Sequence, residues 1–360
     1  MVSRMLEEYL QAILEEIELK DETAMEEARK HWLNIAKPLF SLGKLENAVI
    51  DMAGMKGTCD YRLDKRGLLI FCADNGVVAE GVTQTGQEVT AIVANNFTKN
   101  ATSVCQMARI AKADVIPIDI GIVVDVKSIT KKELKVAYGT KNMTKEPAMT
   151  REEALKAILI GINAVKRCKE AGYEILATGE MGIGNTTTSS AIAAVLLDTP
   201  VEIVTGKGAG LTGEGLERKI RAIKKAILLN KPNVTDPIDV LAKVGGLDIA
   251  GLVGVFLGGA RYRIPIVIDG FICAVAALLA SRINPVARDY MMPSHVSKEP
   301  AGQMLLKELK LEPYITCDMC LGEGTGAVAV LPLLDMGLAV YRQMSTFTDI
   351  NLDNYEVFDE

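Results

Sequence analysis

The sequence predicts an α/β fold, a mostly parallel sheet with helices on both faces. Two observations carry this. Short apolar runs recur along the chain, and nearly all end in glycine and polar residues. Between several of them lie stretches with helical spacing. Strands buried on both faces read as near-continuous apolar runs, and the helices that return between parallel strands cover the sheet. In such sheets ligands bind beyond the carboxyl ends of the strands. The glycine-rich ends are therefore expected to converge on one cleft.

Taken in order, the opening reads as helix. Leu6, Leu10, Ile13 and Ile17 recur at helical spacing, a second helix covers about 22–36, and a third runs through Leu45 and Val49. From Gly67 the texture changes. Strands are expected at 68–73, 115–120, 173–178 and 264–269, with 201–204 and 313–319 as two further candidates. Helices are expected at 151–170, 187–197, 214–229, 271–281 and 302–309.

Composition bounds the function. The chain has 360 residues, enough for a large core and more than one structural unit. Apolar residues make up 49% but aromatics only 5%, so the core is aliphatic. A net charge of -6 argues against a nucleic-acid surface, which needs a basic face. An anionic ligand must then be held by local donors. The acidic opening lacks the basic start and apolar middle of a signal peptide. The most apolar region, 247–280, is broken by Asp248, Arg261, Arg263, Pro265 and Asp269, which suits buried elements rather than a membrane span. Seven cysteines with no targeting signal imply reduced thiols and a cytoplasmic protein. Cys317 and Cys320 form a C-x-x-C, but the only histidines are His31 and His295, so two ordinary thiols are the expected reading and no metal site is expected.

Two glycine-rich turns suggest phosphate binding. GEMGIGNTT at 179–187 follows an expected strand and opens a helix; GKGAGLTGEG at 206–215 leads into Lys219. Small residues let backbone approach a ligand, and helix starts offer free N–H groups to anions. A third turn, LGEGTGA at 321–327, places Glu323 between two glycines. Gly322-x-Gly324-x-x-Ala327 fits a dinucleotide fingerprint, but no acid stands at the end of a next strand and no P-loop exists, so dehydrogenase and kinase readings drop and no cofactor is expected. Glu323 reads equally well as a favourable charge at a helix start, worth roughly 0.3–1 kcal/mol, or as a general base on the rim of the cleft. Asp74, Asp119, Glu180 and Asp269, also at strand ends, carry the same ambiguity.

These motifs stand together with KPLFSLGKLE at 37–46, EPAMT at 146–150, GGLD at 245–248, IPIVIDGF at 264–271 and SHVSKEPAG at 294–302. The whole set, from about residue 33 to 347, resembles the nicotinate-nucleotide:dimethylbenzimidazole phosphoribosyltransferases (the CobT family). The resemblance implies transfer of the phosphoribosyl group of nicotinate mononucleotide to 5,6-dimethylbenzimidazole, with inversion and release of nicotinate. It implies a homodimer, a large Rossmann-like domain at 61–327, and a small helical domain from 1–60 with 328–360. It makes Glu323 the catalytic base, sets Glu180, Gly182, Gly184, Lys219 and Ser297 around the nucleotide, and puts Thr85 against the acceptor ring. Leu321 and Gly322 complete the substrate-binding set. The chain departs from the family's pattern at several positions: Asn75 for a usual His, Gly86 for Pro, Val93 for a ring-contacting Gln, Cys320 for Arg, and Lys99-Asn100 where Gly is common. These departures open two alternatives: the same chemistry on a phenol or p-cresol within a heterodimer, or a non-catalytic subunit that completes a homologous partner's site.

Overall fold

The computed structural model describes residues 2–208 and 210–356. Three helices open the chain: α1 (Val2–Glu15), α2 (Glu22–Asn34) and α3 (Lys44–Lys56). Then come β1 (Arg66–Ala73), α4 (Glu88–Phe97), α5 (Ser103–Ala111) and β2 (Ala113–Gly121). A long connection leads to α6 (Arg151–Glu170), β3 (Ile175–Met181), α7 (Asn185–Leu196) and the single turn α8 (Val201–Val204). Next are α9 (Gly213–Asn230), α10 (Pro237–Val244), α11 (Leu247–Tyr262) and β4 (Ile266–Ile268). The last elements are α12 (Phe271–Ile283), β5 (Met291–Pro293), α13 (Gly302–Glu308) and α14 (Thr325–Gln343).

The five strands form one sheet in the order β2-β1-β3-β4-β5, and every neighbouring pair is parallel. β1 is buried along its whole length, as its unbroken apolar run requires. Cys72 stands opposite both Asp119 and Met181, so the carboxyl ends of β1, β2 and β3 finish level. α11 packs against β1, β2 and β3 and also against α6. Its first fourteen residues are all buried, and a helix apolar all round shows no periodic face. Glycines let α6 and α11 meet backbone to backbone: a Cβ on Gly254 would lie 1.9 Å from Ile158 O. α14 packs against β3, β4, α5 and α3. By length and composition it could cross a membrane, but 56% of its most apolar stretch is buried in the protein.

Two expected strands are corrected. Residues 201–204 form a helical turn after Pro200, because a four-residue apolar run has no periodicity to separate the two states. Residues 313–319 stay irregular and partly exposed, joined to the segment after β5 by a bridge from Ile315 to His295 and by backbone hydrogen bonds. Tyr314 N and Ile315 N both donate to Ser294 O, at 3.0 and 3.1 Å. The fifth strand is instead the three-residue β5, too short to stand out in sequence.

Candidate active site

The carboxyl ends of β3, β4 and β5 and the loop before α14 enclose a cavity of about 390 Å³. Its polar wall includes Glu180, Asn185, Thr186, Asp269, Ser297 and Glu323, and its apolar wall includes Val93, Phe271 and Leu321.

Glu323 is held by unusual backbone. Gly322, Glu323 and Gly324 take φ of +87°, +61° and +95°, three successive left-handed residues. For a residue with a Cβ this conformation is uncommon and is kept only where the surroundings impose it. The surroundings are the strand below: a Cβ on Gly179 would lie 2.6 Å from Glu323 O, and one on Gly324 would lie 2.5 Å from Leu68 Cδ1. Asp269, at the end of β4, pins the loop from the other side. Its Oδ2 accepts from Gly324 N at 3.1 Å, and its Oδ1 from Gly326 N at 2.7 Å and Ala327 N at 3.1 Å. Asp269 thus supplies the negative charge at the start of α14, which leaves Glu323 free to face the cavity. Glu323 Oε2 accepts from Val104 N at 3.3 Å, in the first turn of α5. Burial raises the Glu323 pKa, the Val104 N–H opposes the rise, and Asp269 adds to it.

Glu180 is buried one step deeper. A Cβ on Gly322 would lie 2.7 Å from Glu180 Oε1, so the two acids border the same turn. Asn185 Nδ2 donates to Glu180 Oε2 and, at 3.0 Å, to Asp248 Oδ2. Burial first, then the Asp248 charge, push Glu180 up to about 8; Asn185 and the Glu323 backbone N–H work the other way. Burial likewise raises Asp248 to about 6. Gly182 is required where it stands, since a Cβ there would meet Ala73 O at 2.4 Å and Asp248 Oδ2 at 2.8 Å.

Lys219 lies directly behind the wall. It is 1% exposed, and its Nζ donates to Thr186 Oγ1 at 2.9 Å and Gly206 O at 3.1 Å. Burial lowers its pKa to about 8, against the pull of Glu299. Thr186 and Gly208 line the cavity in front of it. Ala209, inside the same glycine-rich loop, lies outside the described residues.

The expected residues Glu323, Glu180, Gly182, Ser297, Val93, Leu321 and Gly322 all border this one cavity. Lys219 and Gly184 stand behind it; Gly184 turns the chain into α7 with φ +94°. Thr85 is not among the lining residues. It is exposed, and its carbonyl accepts from Thr83 Oγ1 at 2.8 Å. Among the other acids at strand ends, Asp119 accepts from Ile122 N at 2.9 Å and Lys135 Nζ at 3.0 Å, which makes it a loop anchor. Asp74 accepts from Val123 N at 2.9 Å in the same way. Cys317 and Cys320 are free, exposed thiols, and Cys320 borders the cavity. Asn185, Asp248, His295 and Glu299 were not singled out by sequence. All four fall inside the quoted motifs, but only their side-chain contacts distinguish them from turn and helix residues.

The comparisons with known proteins agree with this geometry. The sequence model of the DBI_PRT family, described as phosphoribosyltransferase, matches residues 17–351. A nicotinate-nucleotide–dimethylbenzimidazole phosphoribosyltransferase of Clostridium acetobutylicum is 48% identical over 336 residues, 93% of this chain and 96% of that one. The chain belongs to the nicotinate-nucleotide–dimethylbenzimidazole phosphoribosyltransferase family. A second member, from Ruminiclostridium cellulolyticum, is 48% identical over 94% of this chain and 96% of its own. Among solved structures, CobT from Thermus thermophilus superposes with a TM-score of 0.87 at 37% identity, covering 92% of this chain and all of that one. The parallel sheet and the cleft at its carboxyl edge are therefore the architecture of a phosphoribosyltransferase.

Proposed function

We propose that this chain transfers the phosphoribosyl group of nicotinate mononucleotide to 5,6-dimethylbenzimidazole in assembly of the cobalamin lower ligand. The observation that carries the reading is one cavity bordered both by the half-buried carboxylate of Glu323 and by the glycine-rich turn after β3. The relatives' names support dimethylbenzimidazole over a phenol as the acceptor.

In this scheme the phosphate lies against the turn at 179–187 and the loop at 206–211, with Lys219 as the cation behind them. Ser297, Gly182 and Glu180 border the ribose and the departing ring. An acceptor ring nitrogen attacks C1′ from the face opposite nicotinate. The C1′–N bond of nicotinate breaks, and its electron pair returns to the ring nitrogen. The new α-riboside then gives its surplus proton to Glu323. A positioned general base typically contributes about 10²–10⁴-fold, and the rest comes from holding two ligands in line. Val93, Leu321 and Gly322 bound the acceptor side, and Thr85 reaches it only if its segment closes over the ring.

We infer that residues 1–60 with 328–360 form a small helical unit beside a catalytic unit at 61–327; residues 357–360 lie outside the described part of the chain. The packing of α3 on α14 and the antiparallel bridge between Ile35 and Thr346 support this. Assembly as a dimer in the cytoplasm is part of the same proposal. The test is to incubate the protein with nicotinate mononucleotide and dimethylbenzimidazole and to follow nicotinate release and product mass. Release of nicotinate with formation of the α-riboside phosphate is the expected result. No release with dimethylbenzimidazole, phenol or p-cresol would remove the assignment.

A further inference from the structure

Glu299 borders the cavity, yet the transfer scheme gives it no part. It follows Ser297 by two residues, and its backbone N–H donates to Ser297 Oγ at 3.3 Å. Its side chain turns toward the glycine-rich loop: a Cβ on Gly206 would lie 2.0 Å from Glu299 Oε2. That oxygen is buried and has no hydrogen-bond partner among the described residues. A carboxylate oxygen left unpaired in this way is costly, and its position calls for an explanation.

The groups around it are those assigned to the phosphate. Burial disfavours the ionised form of Glu299, while Lys219, the charged side chain that faces it from α9, and the Gly208 backbone N–H both favour it. Lys219 nevertheless spends its hydrogen bonds on Thr186 Oγ1 and Gly206 O. The Cβ position of Gly208 is 2.9 Å from Thr186 Oγ1 and 3.5 Å from Lys219 Nζ, so backbone, hydroxyl and ammonium converge on one spot. Carboxylates and phosphates seek the same donors. An anion placed among donors but poorly bonded to them is readily displaced by one that satisfies them better.

We propose that Glu299 is a built-in competitor for the phosphate end of the nucleotide. Its carboxylate screens Lys219 in the empty site and must give way, or take up a proton, when a phosphate monoester enters. This rests on the phosphate placement proposed above. It also supplies selectivity. A phosphate brings enough charge to displace the carboxylate, whereas a nucleoside without phosphate leaves Glu299 in place and gains nothing from the loop.

Titration calorimetry with inorganic phosphate, sulfate and nicotinate mononucleotide tests this on the wild type, Glu299→Gln, Glu299→Ala and Lys219→Ala. Both Glu299 variants should bind phosphate and sulfate about tenfold more tightly than the wild type near pH 7, where Lys219 is charged. The KM for nicotinate mononucleotide should fall. Sulfate keeps its charge across this range, and below the Lys219 value of about 8 the ammonium stays charged, so there the ratio of variant to wild-type affinity reads Glu299. That ratio should shrink as pH falls and the wild-type carboxyl, its pKa raised by burial, takes up its proton. Unchanged or weaker anion binding in both Glu299 variants overturns the proposal. So does a Glu299→Gln protein that loses nucleotide affinity while its phosphate affinity stays constant, since Glu299 would then serve the sugar. If Lys219→Ala leaves phosphate binding intact, the phosphate placement itself fails; if Lys219→Ala weakens it but Glu299→Gln gives no gain, only the competitor role fails.

Discussion

At the end of the cavity assigned to the nucleotide, the polar groups are buried and bonded to one another. Asn185 ties Glu180 to Asp248, and Lys219 is fixed on Thr186 and Gly206. At the end proposed for the acceptor, Val93 is half-buried, Leu321 is 55% exposed, and Thr85 stands outside the cavity on an exposed segment. Glu299 apart, the nucleotide end is set before any ligand arrives. The other presents apolar surface and a single carboxylate on a strained turn. A site that reads its ligand through fixed polar partners rejects analogues strongly, because a mismatch leaves buried groups unpaired; an apolar wall rejects them weakly. The departures from the family pattern at Val93 and Cys320 fall at the second end.

The largest effect should come from the turn that joins the two ends. Glu323→Gln keeps the shape but removes the proton acceptor, so kcat should fall by about 10²–10⁴-fold with nucleotide affinity little altered. Stopped assays of nicotinate release check this; near-normal turnover in a folded variant would reduce Glu323 to a charge at the start of α14.

Next comes the fixed end. Lys219→Ala removes a charge-assisted contact to phosphate, so the KM for nicotinate mononucleotide should rise by roughly 10–100-fold while acceptor KM stays constant. An equal rise in both would mean that the two ends are not separate.

A smaller effect concerns stability. The folded chain binds the Glu180 proton more tightly than the unfolded chain does, because burial lifts the carboxyl from 4.5 to about 8. Its contribution to stability is thus complete below the unfolded value and is lost as pH rises through the folded one. Without ligand, Glu180→Gln should gain on the wild type across that window, reaching a Tm advantage of about 2–4 °C at its upper end. Thermal unfolding at several pH values measures it, and a constant difference between the two proteins would contradict a raised Glu180 pKa. The same substitution should still impair turnover, which separates the group's structural cost from its use.

The smallest effect should appear at the acceptor wall. Val93→Gln should shift the preference between dimethylbenzimidazole and p-cresol by only about 3–10-fold, in favour of dimethylbenzimidazole, since one polar partner is added to an otherwise apolar surface. Competition assays with mass detection of both products would show it, and an unchanged ratio would place the acceptor away from Val93.

The order of β and α elements was readable from the chain because buried parallel strands are continuous apolar runs that end where backbone must turn. Residues 68–73, 115–120, 173–178 and 264–269 all lie within or overlap observed strands for that reason. The glycine-rich turns were readable too, since residues such as Gly182 stand where no Cβ fits, and a glycine needs no periodicity to be noticed. What the chain could not disclose were elements without a distinguishing period: α11, buried all round; α8, a single turn; and β5, three residues long. Nor could it separate the acids. Asp119, Asp269, Glu180 and Glu323 all follow apolar runs, and local sequence assigns each the same charge beside a turn. Only the fold decides that Asp119 meets Lys135, that Asp269 meets three backbone N–H groups of the α14 start, and that Glu180 is buried against Asp248. It leaves Glu323 with one backbone donor and an open side toward the cavity. A carboxylate's role depends on which donors and charges lie within a few ångströms, and those come from elements far apart in the chain.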